Sequence, residues 1–288
     1  MKKILVPSDF SDPANNALHL AGQIARRTGA KIFLLHIVEP IKSYVAATDG
    51  MYIDASVEEK YIDYLKDNAK DQLKKISVDE EFQGIEMESL VSLGSIFSII
   101  NEHVNRYDID LIVMGTQGVS GLDELLIGSN TEKVVRTAQC PVLTVRGKLE
   151  VEQFHKIVFA TNFDKKHKIV LGHLKRLKEI FEAEMTILYV NVPNDFHTHR
   201  EINAKKSHFF EGEDVEGFHF EIYDERNEEN GMIHYAEDNQ VDMIVVATRQ
   251  RTGIAHLITG SIAEDVVNHA NRPVLTFGLK YLKKLQEV

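Results

Sequence analysis

Cysteine is nearly absent from the chain, which limits both its covalent framework and its chemistry. Cys140 is the one cysteine among 288 residues, so no disulfide can form within the chain, and we expect a reducing compartment. We expect this cysteine to act as a small apolar residue near the start of a strand and not as a nucleophile. The apolar run before Pro7 is too short for a signal peptide, and the expected location is cytoplasmic.

Long hydrophobic runs and an excess of basic residues are also missing. No run of about 18 apolar residues occurs, so we expect no membrane-spanning helix. The 33 Lys and Arg residues are outnumbered by 44 Asp and Glu residues, and the formal net charge of −11 argues against a general nucleic-acid or anionic-membrane partner. With 43% hydrophobic and 27% charged residues, the composition is typical of a soluble globular protein long enough for two domains.

The sequence does contain a regular alternation of apolar runs and amphipathic segments. In the first half, the apolar runs predict strands over 3–6, 31–38, 86–91, 109–114 and 141–145. The amphipathic segments predict helices over 12–28, 54–77, 95–106 and 129–138, with an irregular loop over 41–53. On the long second helix, Tyr61, Leu65 and Leu73 are the expected anchors. Strands that alternate with helices predict an open parallel sheet with right-handed crossovers.

The second half of the chain repeats the first. Residues 156–163 align without a gap on residues 3–10, at an offset of 153 positions, and further on Gly260-Ser261 aligns on Gly128-Ser129 at an offset of 132. The second copy is therefore shorter between its second and fourth strands. A period of this length indicates two domains in tandem and not a solenoid. We predict one α/β domain over 1–147 and another over 153–288.

One strand and the loop after it carry the strongest candidate for a binding site. The buried strand at 109–114 is followed by Gly115 and Gly118, and Gly128-Ser129 then begins a helix, in the spacing Gly-x2-Gly-x9-Gly-Ser. Glycine lets the backbone approach a ligand closely, and the unpaired N–H groups of a helix start suit an anion such as a phosphate. The alternative is a connection whose glycines only turn the chain, because glycine patterns alone are weak motifs.

The second copy changes this candidate site. Asn162, Ala247 and Gln250 stand where the first copy has Asp9, Gly115 and Gly118. A Cβ at both glycine positions would obstruct the approach of a phosphate chain, so the nucleotide hypothesis belongs mainly to the first copy. Arg249 and Arg251 flank the altered position, and a different anion at the helix start of Gly260-Ser261 is the alternative for the second copy.

Four segments together resemble a known family. They are ILVPSDFSDPANNAL, LLHIVEP, DLIVMGTQG and GSNTEKVVRTAQCPVLTV, and the resemblance extends over nearly the whole chain. The sequence resembles a tandem universal stress protein, and its glycine spacing is similar to that of the ATP-binding branch of the family. The resemblance implies two tandem five-stranded open parallel sheets flanked by helices, of the Rossmann-like, adenine nucleotide alpha hydrolase-like class.

The resemblance also implies a set of nucleotide-binding residues. ATP would lie at the carboxyl ends of the strands, with ADP or AMP as other occupants. The residues expected near adenine and ribose are Pro7, Ser8, Asp9, Ile37, Met114 and Gly115. The residues expected to hold the phosphates are Gly118, Gly128, Ser129, Asn130 and Thr131. Mg²⁺ commonly accompanies a triphosphate, but the sequence offers no dedicated carboxylate cage for it.

Family resemblance further implies how the chain assembles and acts. Members dimerise by pairing their fifth strands, so we expect 141–145 to pair with 273–277 as a pseudo-dimer within the chain, with a homodimer as a further step. The expected function is that of a nucleotide-dependent stress or signalling module that acts on an unidentified protein partner. The alternatives are a slow ATPase and a nucleotide-free interaction scaffold. Because no P-loop lysine and no compelling base are present, we expect at most weak hydrolysis.

Two groups of histidines are explained more simply by structure than by metal binding or catalysis. His197, His199 and His208 invite a zinc hypothesis, but no cysteine or paired carboxylate completes a ligand set, and a hydrophilic loop is the favoured interpretation. His36 lies within an apolar strand, where we expect a hydrogen-bonded histidine and not a general base.

Overall fold

The computed structural model describes residues 1–40, 55–116, 128–147, 154–247 and 262–286. In this part of the chain a single sheet of ten strands runs through both halves in the order β3-β2-β1-β4-β5-β10-β9-β6-β7-β8. Within each half every neighbouring pair of strands is parallel. The predicted α/β class with parallel sheets flanked by helices is confirmed.

The first half supplies β1 to β5 and α1 to α4. The strands are β1 (Lys3–Pro7), β2 (Lys31–Val38), β3 (Met87–Leu93), β4 (Leu111–Gly115) and β5 (Val142–Val145). The helices are α1 (Asp12–Thr28), α2 (Ala55–Ser77), α3 (Ile96–Tyr107) and α4 (Ser129–Thr137), with a short 3-10 turn at Glu80–Phe82. Each predicted strand and helix of this half is present, with ends that differ by a residue or two.

The second half repeats this order. Its strands are β6 (Lys156–Ala160), β7 (Glu184–Asn191), β8 (Phe218–Asp224), β9 (Met243–Ala247) and β10 (Val274–Phe277). Its helices are α5 (Leu171–Phe181), α6 (His199–Phe209), α7 (Glu228–Asp238), α8 (Ile262–His269) and α9 (Leu279–Gln286), with 3-10 turns at Lys165–Val170 and Pro193–Asp195.

Local sequence signals explain where α1 begins and ends. The Ser11 side chain caps the helix by accepting from the Ala14 N–H, and Pro13 occupies the first turn, where its missing N–H costs no hydrogen bond. Gly29 ends the helix in the left-handed conformation with φ 68°, which glycine adopts without a steric penalty. The predicted start and end of this helix are confirmed.

Two local predictions are wrong. Tyr61 is 45% exposed and is therefore not the buried anchor that was expected, whereas Leu73 on the same helix is fully buried in the core. The histidine-rich segment of the second half is helix α6 and not a loop. A capping box stabilises the start of α6, since Thr198 and Glu201 exchange side-chain and backbone hydrogen bonds.

The two halves are joined through their fifth strands. β5 and β10 pair antiparallel, with Leu143 opposite Leu275, and the Thr144 hydroxyl donates to the Val274 carbonyl at 3.2 Å. The predicted pairing within the chain is confirmed. Each strand covers the other's edge, which would otherwise expose unpaired backbone groups. The two five-stranded sheets therefore form one continuous sheet.

The hydrophobic core differs between the two faces of this sheet. On one face a single cluster extends across both halves and packs α1 and α5 side by side over the sheet, with Leu20 and Leu174 fully buried. On the other face, separate clusters lie under α3 and α4 in the first half and under α7 and α8 in the second. Among the described helices, none combines the length and apolarity needed to cross a membrane.

Candidate functional site

The candidate site lies where the strand order reverses. β1 has β2 on one side and β4 on the other, so the connections that leave β1 and β4 diverge to opposite faces of the sheet. In open α/β sheets the crevice at the carboxyl ends of such strands is where ligands bind. Ser8 and Asp9 follow β1, Thr116 follows β4, and α4 begins beside them, because the Gly128 N–H donates to the Thr116 carbonyl at 2.8 Å.

The loop after β1 is held in shape by its own side chains. The buried Ser8 hydroxyl accepts from the Phe10 N–H at 3.1 Å, and the exposed Asp9 carboxylate accepts from the Ser11 N–H at 3.1 Å. Phe10 has a positive φ of 65°, which is uncommon for a residue with a side chain. Since Phe163 repeats this conformation with φ 62°, both copies keep the same tight turn.

His36 fastens this turn to the end of β2. Its Nδ1 hydrogen-bonds to the Ser8 carbonyl at 2.8 Å, and its ring stacks on Phe10 with centroids 4.5 Å apart. Phe163 and Tyr189 form the corresponding stack in the second half, at 5.5 Å. The structure thus gives His36 a hydrogen-bonded packing role.

Gly115 is required by the packing of α1. A Cβ at this position would lie 2.7 Å from the backbone carbon and oxygen of Pro13, which is closer than real Cβ contacts come. The expected reason for this glycine was close approach to a ligand, and the structure adds a reason within the fold itself. In the second half Ala247 is tolerated where a 3-10 turn at Lys165–Val170 replaces the first turns of α1.

Gly128 has no such structural reason. Its φ of −57° and ψ of 136° are open to any residue, and among the described residues a Cβ there would make only an ordinary contact, 3.7 Å from the Thr116 carbonyl. It stands at the N-cap of α4, and no side chain caps this helix. The N–H groups of Ser129, Asn130 and Thr131 consequently have no acceptor among the described residues.

Thr131 and Thr116 hold the end of β4. Thr131 is buried and its hydroxyl donates to the Gly115 carbonyl at 3.0 Å, so this hydroxyl proton is committed to the fold. The Thr116 hydroxyl is also buried, at 3% exposure, and within the described ranges it has no hydrogen-bond partner. Buried polar groups usually are paired, so an unpaired hydroxyl beside a crevice is notable. Sequence reasoning missed Thr116, although it lies between two glycines of the motif.

The remaining expected site residues are distributed around the crevice. Met114 is 6% exposed and packs into the core beneath α3 and α4, and Ile37 packs half-buried against the same cluster. Pro7 is half-buried at the end of β1. Gly118 and the loop at 41–53 lie outside the described residues, as do Arg249, Gln250, Arg251 and Gly260-Ser261.

The corresponding place in the second half contains an open cavity. The space within it that the centre of a water molecule can occupy is about 110 Å³. Polar side chains on its wall are Thr161, Asn162, His167 and Glu228, and apolar ones include Val190, Met232, Val246 and Ala247.

The other candidate reactive groups have structural roles. Cys140 is 3% exposed, and burial raises the pKa of its thiol to about 12, so it is a small core residue as predicted. His197 lies within hydrogen-bonding distance of the Tyr189 hydroxyl and of Lys205 Nζ. Within the described ranges, no group of three His, Cys, Asp or Glu side chains is placed to hold a metal ion.

This arrangement defines a doubly wound α/β protein with a crevice at the switch point of each half. The universal stress protein family model matches residues 1–146 and again residues 153–277. The chain therefore belongs to the universal stress protein family, with two copies of the family's domain in tandem.

Individual relatives agree with this membership. A universal stress protein of Methanocaldococcus jannaschii is 33% identical over 145 residues, which cover 50% of this chain and 82% of that protein. Universal stress protein YxiE of Bacillus subtilis is 31% identical over 148 residues, covering 50% of this chain and 98% of its own. The crystal structure of a universal stress protein from Archaeoglobus fulgidus superimposes with a TM-score of 0.71 at 19% identity, over 96% of this chain and 98% of that one. At this identity the likeness concerns the fold alone.

Proposed function

We propose that the first half binds an adenine nucleotide, ATP in the first place, in the crevice between β1 and β4. The observation that carries the proposal is the uncapped start of α4, which meets the Ser8-Asp9 turn and the buried, unpaired Thr116 hydroxyl at the switch point. Free N–H groups at a helix start, with the positive end of the helix dipole behind them, form an anion site.

Gly115 and Gly128, the two motif glycines among the described residues, contribute differently to this site. Gly115 is accounted for by Pro13, so its presence alone says little about a ligand. Gly128 has room for a Cβ and ordinary dihedral angles. A ligand that approaches the backbone at the start of α4 supplies the missing reason for a glycine at this position. The phosphates would then lie on the N–H groups of Ser129, Asn130 and Thr131.

The Ser8-Asp9 turn would hold the other end of the nucleotide. The Asp9 carboxylate is exposed at the rim of the crevice, where it would accept hydrogen bonds from ribose hydroxyls. Pro7, Ile37 and Met114 would provide apolar surroundings for the base. Mg²⁺ would accompany the triphosphate mainly through phosphate oxygens and water, as it commonly does. Turnover would be weak, because the residues assigned to the site do not include a base aligned on the γ-phosphate.

Nucleotide occupancy would act as a signal within the family's stress-related role. Bound nucleotide changes the charge and order at the switch point, and a protein partner that contacts this edge of the sheet would detect the change. ATP, ADP and AMP differ in the number of phosphates at the start of α4, so the N–H groups there would discriminate between them.

Calorimetric titration of ATP against matched glycine variants tests the proposal. Gly128→Ala places a methyl group at the proposed phosphate site without a clash with the described residues, whereas Gly260→Ala makes the same change at the aligned residue of the second half. We expect Gly128→Ala to weaken ATP binding by about tenfold or more, the loss of roughly one charge-assisted hydrogen bond, and Gly260→Ala to leave it unchanged. Equal effects of the two variants, or no binding by the unaltered protein, would contradict the proposal.

A further inference from the structure

We propose that the cavity of the second half binds a small amine, a protonated amino group on a compact apolar body, and that Glu228 is the residue that recognises it. The site takes no phosphate. The proposal concerns a different crevice from the nucleotide site and stands or falls independently of it.

Glu228 is a carboxylate without a partner on the wall of the cavity. It is half-buried in the first turn of α7, and within the described part of the chain it makes no hydrogen bond or ion pair. The neighbouring carboxylates do have partners, since Glu225 contacts His234 at 2.8 Å and Glu229 contacts His269 at 2.6 Å. For a carboxylate, a donor that carries a positive charge is the strongest hydrogen-bond partner.

Close packing of α7 on β7 brings Glu228 to the cavity. A Cβ on Gly231 would lie 2.3 Å from Val190 Cγ1, so the helix backbone rests directly on the strand at this point. Val190 is itself part of the cavity wall, together with Met232 of the same helix. The first turn of α7, one turn before Gly231, is thereby held at the mouth of the cavity.

The first half lacks this carboxylate. α3 and α7 have corresponding N-caps in Ser95 and Asn227, so Ile96 is the counterpart of Glu228. Conversely, Asp9 in the first half corresponds to the uncharged Asn162 in the second. The negative charge has thus moved from the turn after the first strand to the start of the third crossover helix. The exchange gives the two crevices different charge distributions and therefore different ligands.

Electrostatics and shape together select the class of ligand. The Glu228 carboxylate repels phosphate and attracts an ammonium group across an apolar wall of low dielectric. The Ala247 side chain lines this cavity, whereas the corresponding Gly115 of the first half faces the backbone of Pro13. The hydrophobic body of such a ligand would pack against Val190, Met232 and Val246. A mostly apolar pocket with a few polar groups is typical of small-molecule sites.

The proposal is tested by comparing two ligands, with and without an amino group, on the unaltered protein and on two variants. The probe is 2-phenylethylamine, and 2-phenylethanol has the same body without the ammonium group. The variants are Glu228→Gln, which removes the charge at nearly constant shape, and Glu237→Gln as a control on the exposed side of the same helix. Binding is followed by ligand-observed NMR and calorimetry on the full chain, with circular dichroism and melting temperature as checks of folding.

The expected result is binding of the amine by the unaltered protein and by Glu237→Gln, weakened about tenfold or more in Glu228→Gln. The alcohol should bind weakly and equally to all three proteins. Saturating ATP should not displace the amine. The proposal is overturned if the amine does not bind, if Glu228→Gln binds it unchanged, or if ATP competes with it. A change of melting temperature in Glu228→Gln without any change in amine binding would mean that Glu228 only stabilises the helix start.

Discussion

The α-carbon of Gly115 faces the backbone of Pro13 so closely that a methyl group on residue 115 would lie 2.7 Å from the Pro13 carbonyl. This contact fixes the start of α1 against the end of β4, and both segments border the crevice between β1 and β4. The fold itself therefore requires a glycine at position 115.

We expect Gly115→Ala to destabilise the protein by about 1–3 kcal/mol, because the helix start must shift to relieve the overlap. Gly128→Ala should lower the free energy of unfolding by less than about 1 kcal/mol, since alanine is only a poorer N-cap residue than glycine. Urea denaturation of the two variants measures the difference. Equal stabilities would show that the Pro13 contact relaxes freely and that the packing explanation of Gly115 is incorrect.

The hydrogen bond between Thr131 and Gly115 is expected to hold α4 in place. Thr131→Val keeps the shape of the side chain but leaves the partly buried Gly115 carbonyl without its 3.0 Å donor, which should cost about 1–3 kcal/mol. Thr131→Ser retains the hydroxyl and serves as the matched control. If the valine variant is as stable as the serine variant, the carbonyl has another donor.

Cys140 is expected to resist thiol reagents in the folded protein. Burial raises the pKa of its thiol to about 12, so almost no thiolate is present at pH 8. Labelling with a disulfide reagent should proceed only in denaturant. Rapid labelling of the native protein at pH 8 would argue against the buried position at the start of β5.

The same thiol should make stability depend on pH at the alkaline end. The unfolded thiol ionises near its ordinary pKa of 9.0, whereas the folded thiol keeps its proton until about pH 12. Between these values the unfolded chain binds fewer protons, so the free energy of unfolding contributed by Cys140 falls as pH rises. Cys140→Ala should show a flatter decline in urea denaturation between pH 9 and pH 10 than the unaltered protein. Parallel declines would contradict this assignment.

His173 should have the opposite sensitivity. Burial, with Arg176 nearby, lowers the pKa of this imidazole below 6.5, and its Nε2 lies 3.1 Å from the Tyr281 hydroxyl on α9. As pH falls below 6.5 the unfolded histidine takes up a proton that the folded one does not, so stability decreases. NMR titration of the His173 ring should give a midpoint below 6.5, the ordinary pKa of a histidine side chain. A midpoint at or above 6.5 would contradict this prediction.

Much of the fold is readable from the sequence because each signal is local. Ser11, Pro13 and Gly29 fix the limits of α1 through capping chemistry, and the repeat predicts that what holds for β1 also holds for β6. The pairing of β5 with β10 followed from the family resemblance and from the need to cover two edges. Tyr61 was misjudged, since apolar periodicity does not tell how far along a helix the core extends.

The features that sequence reasoning missed depend on contacts between distant segments. The reason for Gly115 lies 102 positions earlier, in the backbone of Pro13, and no pattern around residue 115 contains it. Glu228 looks like an ordinary acidic residue in the first turn of a helix until the position of α7 on Val190 is known. Comparison with Ile96 of the first copy would have singled it out, once the two N-caps were aligned.

The nucleotide content of the purified protein tests the central claim most directly. The protein is denatured, and the released adenine nucleotide is identified and counted by mass spectrometry beside the variant Gly118→Gln, which copies the residue of the second half. The account predicts one nucleotide per chain and its loss in the variant. Two nucleotides per chain would show that the second crevice takes the same ligand, and no nucleotide, with no binding of added ATP, would leave the chain as a scaffold.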